Sequence, residues 1–111
     1  MKKEYKDLYG QHRQGDIFFE PVDSIPDKPT QLKHGIIARG EVSGHMHRID
    51  PRALQQQKAM LLIAAGIMYL RVKEEIEILH EEHNSIILPT GDWKITRQEE
   101  YTPAGWRQVV D

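Results

Sequence analysis

Histidine is concentrated in two short clusters of this chain, Gly44-His45-Met46-His47 and His80-Glu81-Glu82-His83, which together hold four of its six histidines. Side chains two apart on a strand share a face, so His45 and His47 project together, as two imidazoles must to meet one metal ion. Neutral imidazole is a common ligand of zinc, iron, nickel and copper, and a carboxylate oxygen often completes the set. In the second cluster, strand geometry pairs His80 with Glu82 on one face and Glu81 with His83 on the other. Ile76 and Ile78 share the parity of His80, so His80 and Glu82 are the expected inward pair, and a bulge would bring His83 in instead. His45, His47, His80 and His83 are therefore the expected ligands of a divalent ion, zinc or iron. Two histidines and a carboxylate with open positions suit Fe(II), whereas three histidines and a water suit Zn(II). Glu81 or Glu82 is the expected general base toward metal-bound water, in a small hydrolase or isomerase. The same carboxylates could instead orient the imidazoles from behind.

The elements that must carry these residues read as short strands. Residues 15–22 form a strand opened by a turn, with Pro21 placing it at an edge or ending it there. The loop at 23–30 holds two prolines, which exclude regular structure. Residues 35–42 give a second strand, with Gly40 as the site of a bulge, and lead into the first histidine pair. Asp50-Pro51 resembles a helix cap followed by proline at the first helical position, so one or two helical turns are expected within 51–58. Residues 60–64 and 67–72 are two strands joined by a turn at Ala65-Gly66. Ile76-Glu77-Ile78-Leu79-His80 alternates as a half-buried strand should, and 85–88, 93–101 and 106–110 are further strands. The fold class is all-β, a small barrel or sandwich. Residues 1–13 read as an arm bearing Tyr5 and Tyr9, and 14–111 as one β-domain.

Composition narrows the function. A chain of 111 residues is the size of one domain, and 39% hydrophobic with 29% charged residues is a globular balance. No apolar run approaches the ~18 residues of a membrane span, and the Lys-rich start has no apolar segment behind it, so a cytoplasmic, unprocessed protein is expected. Without cysteine, any metal must be held by His, Asp, Glu or water. The first 60 residues carry a net charge of +2 and the remainder −4, with no dense basic stripe of the kind that binds nucleic acid. Trp93, Trp106, Met60 and Met68 read as core or rim packing, and His12 and His34 as loop histidines.

Gly44-His45-Met46-His47 with Asp50 shortly after, followed by a later histidine near Leu88-Pro89-Thr90-Gly91, resembles the pattern of the cupin superfamily. That resemblance implies a small β-barrel holding one metal ion through a His-x-His pair, a nearby carboxylate and a third histidine. Cupins generally carry Glu where this chain has Asp50, and their late histidine follows the Pro-x-Gly turn, whereas His80 and His83 precede Pro89 and Gly91. The wider pattern also resembles small uncharacterised bacterial and phage proteins. It comprises Gln14-Gly15-Asp16, the two histidine clusters, the Pro89-Thr90-Gly91 turn and Arg97-Gln98-Glu99-Glu100-Tyr101.

Two other readings stand beside the metal site. Two histidines facing one pocket can act as acid and base in phosphodiester cleavage without a metal, with Arg48 or Arg39 stabilising the charge. A non-catalytic binding module would use the histidines to hold strands together and work through a protein partner, a small-molecule ligand or a homodimer.

Overall fold

The structure is a computed structural model that describes residues 12–40, 44–97, 99–102 and 105–108, with side chains described for 12–40 and 44–97. Residues 1–11 of the expected 1–13 arm, residues 41–43, the Trp106 side chain and residues 109–110 of the expected last strand lie outside the described residues, while His12 and Arg13 of that arm belong to the sheet.

Alternating apolar residues build two antiparallel sheets that share one core. The larger has six strands. In chain order these are β1 (His12–Gln14), β2 (Ile17–Val22), β3 (Thr30–Gln31), β6 (Ala59–Ala64), β7 (Ile67–Val72) and β10 (Gly91–Arg97), arranged β1-β2-β10-β7-β6-β3. The smaller has the order β4-β5-β8-β9, formed by β4 (Ile36–Arg39), β5 (Met46–Ile49), β8 (Ile76–Leu79) and β9 (Ile86–Leu88). Ile17, Phe19, Leu61, Leu70 and Trp93 of the first sheet pack with Ile49, Ile76, Ile78 and Leu88 of the second in a single buried cluster. The arrangement is the sandwich expected from the alternation, with open strand orders in both sheets. β11 (Glu99–Thr102) and β12 (Gly105–Gln108) form a separate hairpin.

Local chemistry explains the connections. The β6–β7 turn places Ala65 at φ 53° and Gly66 at φ 75°, the left-handed pair that a two-residue hairpin needs. Glycine adopts this freely, but alanine does so against its Cβ. The one described helix, α1 (Pro51–Gln55), opens with Asp50 accepting the Arg52 N–H and with proline in the first turn, as the sequence predicts.

Some expectations differ in detail. The proline loop does contain a strand, because Thr30 and Gln31 pair with Ile63 and Leu62. Gly40 follows β4, and the irregularity lies between Ile36 and Ala38. The long strand at 93–101 is two, β10 and β11. β2 has β1 beside it only as far as Phe19, so at Pro21, opposite Trp93, β10 is the neighbour and the missing N–H breaks no second ladder. His12 belongs to β1 rather than a loop; it is buried and meets Trp93 edge-on at 5.0 Å. Among the described residues, no helix is long and apolar enough to cross a membrane.

Candidate functional site

Both histidine clusters reach one place between the sheets. On β5 the buried residues are His47 and Ile49, so the pleat that sends Ile49 into the core sends His47 there too, fully buried. On β8 the buried Ile76 and Ile78 set the parity that carries His80 inward just past the strand end. The chain then bends at 81–83, and this bend breaks strand parity. His83 consequently comes in as well as His80, where a regular strand would admit one of them.

The imidazoles are neighbours in a group. Ring centroids are 4.4 Å apart for His47 and His80, 4.4 Å for His80 and His83, 5.6 Å for His45 and His80, and 5.9 Å for the nearly parallel His47 and His83. All four predicted ligands are thus brought together. Among the described residues, however, no three His, Asp or Glu side chains stand as a group that could hold a metal ion. The Nδ1 atoms of His47 and His80 are engaged in hydrogen bonds.

Those commitments fix proton positions. Gln14, buried on β1, donates both hydrogens of its amide nitrogen, to the Ile78 and Asn84 carbonyls, each at 2.9 Å. Its Oε1 therefore faces His47 Nδ1 at 2.8 Å as an acceptor, so His47 Nδ1 carries the proton and donates it. His47 Nε2 is turned to Asp16 Oδ1, 3.6 Å away. His80 is set the opposite way: its Nδ1 accepts the Glu82 and His83 backbone N–H groups at 3.0 and 3.1 Å, which puts the proton of the neutral ring on Nε2.

Charge surrounds this core unevenly. Asp16 sits at the β1–β2 turn with its side chain 1% exposed, and its Oδ2 is 3.1 Å from Arg97 Nε. Arg97 also donates to the Arg39 carbonyl at 2.9 Å, tying the end of β10 to β4. Glu81, proposed from sequence as a general base, is engaged instead with β5. Its Oε1 accepts the Met46 N–H at 2.9 Å and its Oε2 lies 3.3 Å from an Arg48 terminal nitrogen. The Met46 N–H, then its own N–H, and the Arg48 charge hold its carboxyl below the usual carboxylate value. Glu82 is mostly exposed, with Oε1 3.5 Å from His45 Nδ1.

Residues 13–98 match the family described as a domain of unknown function, DUF8820. The chain belongs to that family. The DUF8820 match takes in the whole arrangement, from Gln14 and Asp16 through both histidine clusters to Arg97. No curated protein and no solved structure matches the chain.

Gln14, Asp16 and Arg97 are the residues to which sequence reasoning gave no role. A signal for Arg97 was present: it has the parity of the buried Trp93 and Ile95 on β10, which aims a charge at the core face.

Proposed function

We propose that this protein binds one divalent metal ion at the histidine cluster, with Asp16 as the carboxylate ligand, His47 and His83 as imidazole ligands, and His45 as the third histidine. The observation that carries the reading is the buried pair His47 Nε2 and Asp16 Oδ1, 3.6 Å apart. A charge-assisted hydrogen bond would be shorter, about 2.7–2.9 Å. Two donors bound to one tetrahedral ion at ~2.1 Å lie about 3.4 Å apart. The Gln14 hydrogen bond to Nδ1 is the support from behind that metal-binding histidines commonly have.

His80 fits a different role. With Nδ1 accepting two backbone N–H groups, its ring lies 4.4 Å from both His47 and His83 as a spacer between them. His45 and His83 are half-buried. The same His-x-His with a later histidine supports the resemblance to cupins as a likeness of ligand pattern. Any proton-transfer role falls better to Glu82 than to Glu81, which is held by Met46 and Arg48. Zinc and iron both suit a His/Asp donor set.

A second reading has an observation of its own: Gln14 already clasps the two sheets through hydrogen bonds to His47 and to the Ile78 and Asn84 carbonyls, which works without an ion. Elemental analysis separates the two. Tag-free protein retaining near-stoichiometric metal, with most of it lost in His83→Ala at unchanged fold, supports the metal centre. Absence of metal after reconstitution with zinc, iron, nickel and manganese leaves only the clasp.

A further inference from the structure

One carboxylate ties the two histidine pairs together. Strand β5 pairs with β8 at Arg48 with Leu79 and at Ile49 with Ile78, and beyond them the Asp50 N–H bonds the Glu77 carbonyl at 3.0 Å. Hydrogen-bonded positions of an antiparallel pair recur every second residue, so this ladder, continued toward Met46, would join the Met46 N–H to the Glu81 carbonyl. The strand ends at Leu79 and the chain bends at 81–83 before that position is reached. The Glu81 side chain supplies the acceptor instead: its Oε1 takes the Met46 N–H at 2.9 Å, while its Oε2 lies 3.3 Å from an Arg48 terminal nitrogen.

Placement gives this contact its importance. Met46 stands between His45 and His47, and Glu81 between His80 and His83, so the contact joins the main chain of one pair to the main chain of the other. A carbonyl in the ladder would keep the chain extended, with alternate residues facing away from the core. A carboxylate on a longer reach holds the same N–H while the chain turns, and the turn is what brings His83 within 4.4 Å of His80 and 5.9 Å of His47, ring centre to ring centre. Within the bend, His80 Nδ1 accepts the Glu82 and His83 N–H groups; Glu81 anchors that bend to β5.

We infer that Glu81 is a positioning residue, whose carboxylate replaces one main-chain bond of the β5–β8 ladder and thereby sets His83 beside His47. The role stands on this geometry, and its effect on an ion rests on the metal reading above.

The test compares full-length parent, Glu81→Ala and Glu81→Gln in two ways. Glu81 is 39% exposed and Arg48 32%, so neither variant opens the core, and urea unfolding midpoints near the parent's are expected for both. In metal-free protein, nuclear Overhauser effects between the His47 and His83 ring protons should appear in the parent, vanish in Glu81→Ala and return in Glu81→Gln, which keeps an oxygen for the Met46 N–H. Zinc affinity, read by competition with a chromogenic chelator, should fall about 10–100-fold in Glu81→Ala, as for other residues that orient ligands, and be largely restored in Glu81→Gln. Overhauser effects in Glu81→Ala equal to the parent's overturn the inference, as does unchanged zinc affinity in that variant. A parent protein that refuses zinc overturns the metal reading instead, and the Overhauser comparison still decides the role of Glu81.

Discussion

Replacing Gln14 tests the centre of the arrangement, because one side chain there serves three partners on the opposing sheet and its loop. In Gln14→Ala the Ile78 and Asn84 carbonyls and the His47 Nδ1–H all lose their hydrogen bonds in a buried setting. A buried group left without a partner costs about 1–3 kcal/mol, but the three share one side chain and their losses overlap. A total of about 3–5 kcal/mol follows from those principles, a large part of the ~5–15 kcal/mol expected of a domain. In urea, where slopes are about 1–3 kcal/mol per molar, the unfolding midpoint should fall by about 2 M. Gln14→Met keeps the bulk and removes only the polar ends, so it should lose nearly as much. Metal affinity should also drop, by about 10–100-fold, since His47 no longer has its proton held on Nδ1. A midpoint within about 0.3 M of the parent for both variants would falsify the idea that Gln14 sets the site.

Other consequences are checked the same way. His83→Ala should weaken zinc or cobalt binding far more than His80→Ala, as read by competition with a chromogenic chelator; the reverse order would assign the ligand role to His80. Asp16→Asn removes the charge opposite Arg97 and His47 and should destabilise the fold by about 3–5 kcal/mol, the usual effect of breaking a buried ion pair from one side, measured by chemical denaturation. Ala65→Gly should raise stability by roughly 0.5–1 kcal/mol, because it relieves a left-handed alanine at the cost of some chain entropy; a lower melting temperature would contradict the turn geometry. Asp50→Ala should cost about 1 kcal/mol through loss of the cap on α1, with little effect on metal binding.

Alternation made most of the fold legible. Ile76-Glu77-Ile78 reveals its buried face without any tertiary knowledge, and Ala65-Gly66 between two apolar runs marks a hairpin. The inward direction of His47 follows from the same parity. What alternation cannot show is where a bend resets the count. His83 joins His80 because residues 81–83 turn, and that turn is held by Glu81 reaching across to Met46 and Arg48, a contact 35 residues away in sequence. Lone polar residues are equally opaque: Gln14 and Asp16 flank a glycine at a hairpin tip, where polar residues are ordinary. Their significance comes from β1 and β2 facing the other sheet, a matter of packing between sheets rather than of local pattern. The two-residue β3 escaped because its pairing with β6 outweighs the proline-rich context.

The bridges that assemble the site also decide when it can exist. Gln14 meets Ile78 and Asn84 across 64 and 70 residues, and Arg97 reaches Arg39 across 58. Contacts of that span close large loops, so they form late in folding and slowly. During synthesis the first histidine pair leaves the ribosome well before Arg97, and at roughly 5–20 residues per second it waits seconds for its partners. The unfinished chain therefore offers isolated histidines with no cage around them. If the proposed ion is bound, its loading belongs to the completed domain, and the rate at which the protein matures is then governed by closure of the two sheets.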